Sequence, residues 1–346
     1  MTKVAINGLG RIGRAAFRAL LDNSELELVA INDLAPADQL AYLLNFDSVY
    51  GKSEHKVESD NYNLYVKGKA VRALCIDNPR DLPWGDLGVE LVLECTGKFK
   101  TREELEKHLH AGARRVILSS PASDSDIPTI VHGVNRPEED LRIVSTASCT
   151  TNCITPVIEI LNRRIGVKKA AMTTLHAYTA SQSLVDEPSD KLRRGRAAAL
   201  NFIPTTTGAA KATARVLPEF SGRFDGIAVR GPVPVGSLAD LTIITERQTS
   251  VDEINKLFGE EAGSDQYRGI VGVNVAPIVS SDIIMDPRAS VVDLSMTQVI
   301  DGDLVKILAW YDNEWGYVNQ MLREAVRLSS LPEELERKKE EELENA

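Results

Sequence analysis

Short apolar runs alternate with helical patterns from the N-terminus to about residue 150. Lys3–Asn7 and Leu26–Asn32 predict buried strands, and the apolar spacing of Arg14–Leu21 predicts a helix between them. Two further strands are predicted at Leu91–Cys95 and Val116–Ser119. Strands that alternate with helices are typical of a parallel sheet covered by helices.

Two local patterns add elements to this half of the chain. Tyr62–Lys67 and Ala70–Cys75 predict a hairpin joined at Gly68-Lys69. Thr101 and Glu104 form a capping-box pattern, which predicts that a helix begins there and runs to His110.

After about residue 150 the pattern changes to long strands with few helices. Strands are predicted at Ala170–Leu175, Gly226–Arg230, Leu238–Thr245, Val291–Leu294 and Leu304–Tyr311. This half therefore predicts an α+β domain with a large mixed sheet. The charged end, residues 331–346, predicts a solvated helical tail.

Length and charge narrow the class of protein. A chain of 346 residues predicts two domains. The net charge of −10 argues against nucleic-acid binding, and the apolar runs are too short to span a membrane. Four cysteines without a disulfide framework, and an N-terminus that enters a strand at once, favour a cytoplasmic protein without a signal peptide. No cluster has the spacing of a metal site.

The turn after the first strand carries glycines at positions 8, 10 and 13 in the spacing G-x-G-x-x-G, and Asp33 ends the second strand. Strand, glycine turn, helix, strand and acid together predict a Rossmann-type dinucleotide-binding domain. Asp33 would bind the adenosine ribose and repel a 2′-phosphate, which favours NAD over NADP. Thr96 and Ser119 follow strands that end at the same edge, where they would border the cofactor, although Thr96 also fits an ordinary turn.

Cys149 lies in a polar segment between a predicted strand and an apolar helix. A cysteine at a helix N-terminus gains thiolate character from the helix dipole, so Cys149 is a candidate nucleophile. Cys153, one turn later, is interpreted as a packed thiol. His176, at the end of a strand, is the natural ion-pair partner and general base, and His55 is the alternative. The other three histidines are interpreted as surface or structural residues.

Three features of the second half predict anion binding. They are the basic cluster Arg193, Arg194 and Arg196, the hydroxyl row Thr205–Gly208 before a helix, and Arg230 at a strand end. Together they indicate substrates that carry phosphate.

Over residues 1–330 the chain resembles phosphorylating glyceraldehyde-3-phosphate dehydrogenases. The motifs that carry the resemblance are I-N-G-L-G-R-I-G-R from Ile6, S-C-T-T-N-C from Ser148, H-A-Y-T from His176, L-R-R-G-R-A-A-A from Leu192 and W-Y-D-N-E-W-G-Y from Trp310. The resemblance implies oxidation of D-glyceraldehyde 3-phosphate to 1,3-bisphosphoglycerate in glycolysis or gluconeogenesis, with NAD as cofactor and inorganic phosphate as second substrate.

The resemblance also implies roles for individual residues. Cys149 would be the nucleophile and His176 its base. The substrate phosphate would lie on Thr179 and Arg230 with Arg194 close by, and inorganic phosphate on Ser148, Thr150, Thr207 and Gly208. Arg11, Ile12 and Asp33 would contact the adenosine and diphosphate part of NAD, and Asn313 the nicotinamide amide.

The family relation further implies a homotetramer and a discontinuous cofactor domain. The expected domains are residues 1–148 with 314–330 for NAD binding and 149–313 for catalysis. Ser181 stands where an aspartate is common in the family and Glu187 where leucine is common, which bears on catalytic efficiency and cofactor preference. The alternatives are an erythrose-4-phosphate dehydrogenase, disfavoured because Tyr178-Thr179 and Thr207-Gly208 are kept, and a non-catalytic NAD-binding redox sensor that uses Cys149.

Overall fold

A computed structural model describes residues 1–137 and 141–331 of the chain. The predicted helical tail, apart from Leu331, lies outside the described residues. The chain forms two compact units: the first contains Met1–Ile130, Arg136–Ala147 and the segment that begins at Met321, and the second contains Val131–Asn135 and Ser148–Gln320.

Within the described residues, the first unit contains ten strands and three helices that lie wholly within it. The strands are β1 (Thr2–Asn7), β2 (Leu26–Asn32), β3 (Phe46–Asp47), β4 (Gly51–Lys52), β5 (Glu58–Ser59), β6 (Asn63–Val66), β7 (Lys69–Leu74), β8 (Leu91–Glu94), β9 (Arg115–Leu118) and β10 (Ile143–Ser145). The helices are α1 (Arg11–Leu20), α2 (Ala37–Asn45) and α3 (Arg102–His110).

Eight of these strands form one sheet in the order β10-β9-β8-β1-β2-β7-β6-β5. The pairs from β10 to β7 are parallel, and β7, β6 and β5 pair antiparallel. The order reverses at β1, which lies between β2 and β8. In open α/β sheets a ligand binds at such a reversal, outside the carboxyl ends of the strands. The predicted alternation of strands and helices is confirmed.

The predicted hairpin forms, but its turn is one residue earlier than predicted. Lys67 and Gly68 both have positive φ, 52° and 73°, and Lys69 already pairs with Val66 in the ladder. A turn with two left-handed residues matches the twist of the strands that it joins. The Thr101–Glu104 capping box is present as predicted.

The second unit is organised around one mixed sheet. Its strands are β11 (Val167–Ala177), β12 (Ile203–Thr206), β13 (Phe224–Gly231), β14 (Ser237–Thr245), β15 (Val271–Asn274), β16 (Ser290–Asp293), β17 (Gln298–Ile300) and β18 (Leu304–Tyr311). Its helices are α4 (Cys149–Arg164), α5 (Ala209–Val216) and α6 (Val251–Gly263). The strand order is β12-β13-β11-β14-β18-β16-β15, with β17 paired to β18. This confirms the mixed sheet predicted for the second half.

Helix α4 is the central helix of the second unit. Ile154, Val157, Ile158 and Leu161 are fully buried and belong to the same apolar cluster as Leu241, Ile243 and Ile307 of the sheet. Burying each of these side chains contributes about 1.5–3 kcal/mol. This burial holds α4 against the sheet, and Cys149 is the first residue of the helix.

Two features of the division between the units were not predicted. Val131–Asn135 joins the second unit, where Gly133 O accepts a hydrogen bond from Gln266 Nε2 at 2.9 Å. Helix α7 (Trp315–Ser329) crosses the division between Gln320 and Met321. The expected domain boundaries at 148 and 313 stay a prediction.

Candidate active site

A cavity of about 260 Å³ lies at the carboxyl ends of β1, β2 and β8 in the first unit. It is lined by Asn7, Gly8, Gly10, Asn32, Asp33, Leu34, Ile76, Asp77, Cys95, Thr96, Lys98 and Phe99. It thus contains Thr96 and much of the predicted cofactor site, at the reversal of strand order.

The glycines of the turn meet different constraints. A Cβ on Gly13 would lie 1.9 Å from the carbonyl oxygen of Gly8, and a Cβ on Gly8 would lie 2.7 Å from the backbone nitrogen of Thr96. A Cβ on Gly10 would meet no atom within 4 Å. Gly8 and Gly13 therefore allow close backbone packing, whereas Gly10 leaves open space before α1, whose N-terminus has no side-chain cap. Open space before an uncapped helix fits a diphosphate.

Asp33 is fixed by two backbone donors. Its Oδ2 accepts from Leu9 N at 2.7 Å and its Oδ1 from Ala35 N at 2.9 Å. A carboxylate has about four acceptor sites, so both oxygens keep capacity for ribose hydroxyls. The residues present fit a dinucleotide.

Arg11, Ile12 and Ser119, which were also predicted to contact the cofactor, do not line the cavity. The Arg11 guanidinium pairs with Asp47 and lies over the ring of Tyr50, so it is already engaged within the protein. The backbone N–H groups of Arg11 and Ile12, at the start of α1, could still donate to a ligand. The Ser119 hydroxyl lies close enough to the Cys95 thiol to act against the burial that raises the pKa of that thiol. Cys95 lines the cavity and Ser119 does not, so Ser119 lies beside the wall and not in it.

In the second unit, Cys149 and His176 are in contact. Ser148 caps α4 by accepting from Thr151 N at 3.1 Å, and this places Cys149 in the first turn. The Cys149 Sγ lies 3.4 Å from His176 Nε2. His55, the alternative base, belongs to the first unit and lies 3.7 Å from Asp22. The geometry therefore favours His176.

Strand register brings Arg230 to the same place. Residues 176 and 230 are paired neighbours on the parallel strands β11 and β13. Arg230 Nη1 lies 2.6 Å from His176 Nδ1 and donates to Ala177 O at 3.0 Å. His176 Nδ1 lies 2.7 Å from the same carbonyl oxygen. The guanidinium can only donate, so its contact with Nδ1 favours an accepting Nδ1 and a ring proton on Nε2, whereas a proton on Nδ1 directed at Ala177 O would leave Nε2 free to accept from the thiol.

The predicted ion pair between Cys149 and His176 is not favoured in this structure. Burial raises the pKa of the Cys149 thiol, although Arg230 and hydrogen bonds from Thr150 act in the opposite direction. Burial and the charges of Arg230 and Arg194 lower the pKa of His176 to about 3. Both effects favour neutral thiol and neutral imidazole, because a charged group loses hydration when it is buried.

A second guanidinium completes a basic region beside this pair. Arg194 Nε donates to Thr205 Oγ1 at 3.1 Å, and its Nη1 lies 3.5 Å from Ser181 Oγ. Ser181 Oγ is also 2.9 Å from Thr179 Oγ1. In the described part of the chain, neither Arg194 nor Arg230 forms an ion pair with a carboxylate. Two such cations and neighbouring hydroxyls suit a dianion.

Thr207 and Gly208 precede helix α5. Thr207 Oγ1 accepts from Ala209 N at 3.2 Å, and Gly208 is the N-cap without a side-chain contact. The backbone N–H groups of this helix start are suited to an anion.

The hydroxyl of Thr150 differs from its predicted role. It is buried, and its Oγ1 lies 2.9 Å from Tyr311 Oη, which in turn lies 2.8 Å from Thr174 Oγ1. The side chain is thus engaged with the sheet, and the predicted phosphate contact would fall to the backbone of Thr150.

Ser237 was missed as a site residue, and it fixes Asn313. Asn313 Oδ1 accepts from Ser237 Oγ at 2.9 Å and from Gly236 N at 3.2 Å, so its amide NH₂ group remains to donate. Asp312 caps α7 through Trp315 N at 2.8 Å. No local signal marked Ser237 or Tyr311, because their contacts depend on strand pairing.

Cys153 and His108 agree with their structural interpretation. Cys153 is fully buried, 3.6 Å from Ser290 Oγ, and burial raises its pKa to about 12. His108 is fully buried beside Trp84 and Glu94. Across residues 1–137 and 141–331, no three His, Cys, Asp or Glu side chains form a group that could hold a metal ion. None of the described helices combines the length and the hydrophobicity needed to cross a bilayer.

A chain with a dinucleotide cavity in one unit and a thiol–imidazole pair in the other falls into the class of NAD-dependent oxidoreductases. Within that class, it belongs to the glyceraldehyde 3-phosphate dehydrogenase family. The profile of the family's NAD binding domain matches residues 2–102, and that of its C-terminal domain matches residues 148–313.

Relatives agree with this assignment. The chain is 48% identical over 324 residues to the glyceraldehyde-3-phosphate dehydrogenase of Streptomyces coelicolor, covering 92% of this chain and 96% of the relative. It is 46% identical over 333 residues to glyceraldehyde-3-phosphate dehydrogenase 1 of Bacillus cereus, covering 95% and 99%. The enzyme of that name from Mycobacterium tuberculosis is 48% identical over 329 residues, covering 92% and 96%.

Proposed function

We propose that this protein oxidises D-glyceraldehyde 3-phosphate to 1,3-bisphosphoglycerate with NAD and inorganic phosphate, as a step of glycolysis or gluconeogenesis. The contact between Cys149 Sγ and His176 Nε2 at 3.4 Å, with Arg230 beside the imidazole, is the observation that carries the proposal. A redox sensor would need the thiol but neither the imidazole nor the basic region.

The two parts of the chain would divide the work as the family relation implies. The domain of residues 1–148 with 314–330 would hold NAD, which accepts a hydride when bound. Gly8, Gly10, Gly13 and the backbone of Arg11 and Ile12 would hold the diphosphate, and Asp33 the adenosine ribose. In the catalytic domain, residues 149–313, the Asn313 amide group would donate to the nicotinamide carboxamide.

The aldehyde would be oriented by its phosphate. Arg230 and Thr179, with Arg194 close by, would bind this dianion. Arg230 Nη1 lies 2.6 Å from His176 Nδ1, so a bound dianion would offset the positive charge that disfavours imidazolium. Proton transfer from Cys149 Sγ to His176 Nε2, 3.4 Å apart, would then give the thiolate.

The thiolate of Cys149 would then add to the aldehyde carbon, and the imidazolium of His176 would return its proton to the alkoxide that forms, which gives a hydroxyl group. His176 Nε2 would take the proton of the resulting hydroxyl group as hydride leaves the carbon, and a thioester on Cys149 would remain. Backbone N–H groups of the first turn of α4 would stabilise the developing oxyanion. Inorganic phosphate, held by Ser148, Thr150, Thr207 and Gly208, would attack the thioester carbonyl, expel the thiolate and give the acyl phosphate.

A homotetramer in the cytoplasm fits this proposal. Leu184 and Leu192 are each more than 70% exposed, and they lie in the loop of about residues 178–199 that the family relation places beside the cofactor of a neighbouring subunit. Leu200 and Phe202, which are also more than 70% exposed, follow this loop directly. Large exposed apolar patches are typical of surfaces covered by a partner.

The proposal is tested by NADH formation from NAD and D-glyceraldehyde 3-phosphate, with and without inorganic phosphate. Sustained turnover only with phosphate is expected. Sustained turnover without phosphate would mean that water attacks the thioester, and inactivity in both assays would overturn the proposal. Activity with erythrose 4-phosphate in place of the triose would instead favour that alternative.

A further inference from the structure

A buried carboxylate lies behind the wall of the dinucleotide cavity. Glu94, the last residue of β8, is fully buried, and no Lys or Arg of the described residues forms an ion pair with it. Its Oε1 accepts from Thr96 N at 2.8 Å and also from Thr96 Oγ1. Its Oε2 accepts from Asn7 Nδ2 at 2.6 Å and lies 3.1 Å from His108 Nε2. Burying an acidic group without a cation is costly unless hydrogen bonds stabilise it, and here four donors do so.

The tautomer of His108 is fixed by Trp84. The indole nitrogen of Trp84 can only donate, and it lies 3.0 Å from His108 Nδ1. The His108 Nδ1 must therefore accept, the ring proton is on Nε2, and Nε2 donates to Glu94. The hydrogen bonds therefore run in one direction. Trp84 donates to His108, and His108 donates to Glu94.

The same direction continues to the cavity. Asn7 uses Nδ2 for Glu94, so its Oδ1 accepts from Asn32 Nδ2 at 2.7 Å. The Oδ1 of Asn32 accepts from Ile76 N at 2.9 Å. Thr96 gives its hydroxyl proton to Glu94 and accepts from Lys98 N at 3.1 Å. Asn7, Asn32, Ile76 and Thr96 line the cavity, whereas Trp84, Glu94 and His108 do not.

We propose that Glu94, oriented by His108 and Trp84, is a positioning residue for the dinucleotide. It fixes the amide of Asn7 and the hydroxyl of Thr96 from behind the wall, so that the cavity is preformed for the ADP portion of the cofactor. Preformed sites bind more tightly because less ordering is needed on binding. The inference rests on the proposed cofactor site.

The test compares Glu94→Gln with the wild-type protein by calorimetric titration with ADP and with NAD. Glutamine replaces one acceptor oxygen with an NH₂ group that faces donors, so Asn7 or Thr96 must reorient. We expect the Kd for both ligands to rise about tenfold, the loss of one good hydrogen bond, while kcat at saturating NAD stays within about twofold. The control is Glu90→Gln. The Glu90 carboxylate lies just before the same strand and accepts from Lys3 N at 3.1 Å, and neither Kd should change in this variant.

A double variant separates positioning from general damage. Trp84→Phe removes the indole donor, so His108 can carry its proton on Nδ1 and accept, through Nε2, from the amide introduced by Glu94→Gln. The double variant should therefore bind ADP tighter than Glu94→Gln alone, although Asn7 Nδ2 still faces the introduced amide. If the loss of ADP-binding free energy in the double variant equals the sum of the losses in Trp84→Phe and Glu94→Gln, the proposal is overturned.

A second pair of variants leaves Glu94 in place. His108→Leu removes the donor to Glu94, whereas His108→Gln keeps an N–H group near the Nε2 position. We expect a weaker Kd for ADP in the first and a Kd within twofold of wild type in the second. A lower Tm with an unchanged Kd in both His108→Leu and Glu94→Gln would reduce the network to a structural role. If Asp33→Ala does not weaken ADP binding, the proposed cofactor site is wrong, and this outcome is distinct from failure at Glu94.

Discussion

At the scale of single residues, Arg230 links substrate binding to acid–base chemistry. Its guanidinium lies beside His176 and lowers the pKa of both His176 and Cys149. The same charge would hold the substrate's phosphate. One residue thus affects nucleophile, base and substrate.

Arg230→Gln should raise the pKa of both groups, because a positive charge favours the thiolate and disfavours the imidazolium. We expect the inflection in the pH dependence of Cys149 alkylation by iodoacetamide to rise by about one pH unit. Arg230→Lys, which keeps the charge, should remain close to wild type. An inflection at lower pH in Arg230→Gln would contradict this account.

Cys149→Ser should lower kcat on the order of a thousandfold or more, because a hydroxyl is far less acidic than a thiol. NAD binding should persist, since the variant residue does not line the dinucleotide cavity. Steady-state NADH formation and calorimetry measure the two effects. Cys75→Ser, at an exposed cysteine of the first unit, is the control and should retain activity. Near-normal activity of Cys149→Ser would exclude the covalent mechanism.

The sequence predicted Cys149 and His176 because local patterns place each at the end of an element. It could not predict that Tyr311 contacts Thr150, 161 positions away, or that Ser237 fixes Asn313. These contacts depend on strand register, which a single sequence leaves open. The charge states were also missed, since burial is a property of the folded chain.

At the scale of elements, the N-terminus of α4 has both a structural and a chemical role. Ser148 caps the helix, and the proposed phosphate site uses the same residue. Ser250 caps α6 in the same way, accepting from Glu253 N at 3.2 Å, without any proposed ligand. The chain thus contains a matched pair of serine caps.

Ser148→Ala and Ser250→Ala should each lower the free energy of unfolding by about 1 kcal/mol, because each removes a helix cap. Only Ser148→Ala should raise the KM for inorganic phosphate, by about tenfold. Thermal denaturation and phosphate titrations measure the two quantities. Equal phosphate kinetics in both variants would remove Ser148 from the phosphate site.

The elements themselves were predicted well where apolar periodicity was strong. Leu26–Asn32 and Leu304–Tyr311 have the predicted bounds. Strand β11 is longer than predicted at both ends, because Val167 and Lys169 pair with β14 across a register shift and His176 and Ala177 pair with β13. Periodicity reports burial, and two exposed lysines at positions 168 and 169 interrupt it after the buried Val167.

At the scale of the whole molecule, the exposed side chains of Leu192 and Leu200 are 84% and 81% accessible. Burying such apolar side chains against a partner would be favourable, because it removes apolar surface from water. A surface of this kind supports the proposed assembly of subunits.

Leu200→Glu should therefore shift the assembly toward smaller species at micromolar concentration, because burying an unpaired carboxylate at an interface is costly. Light scattering coupled to size exclusion measures the mass in solution. Tyr62→Gln, at an exposed side chain of the first unit, is the control and should leave the mass unchanged. A wild-type protein of monomeric mass would refute the assembly.

The nested order of the two units affects how the chain is synthesised. Because the first unit takes its last segment from Met321 onward, all of Ser148–Gln320 leaves the ribosome before that segment does. The second unit can thus fold during translation, while the dinucleotide-binding unit must wait for its closing residues, among them the buried Leu322, Ala325 and Leu328. Cofactor binding by the first unit would then require that synthesis has passed Leu328.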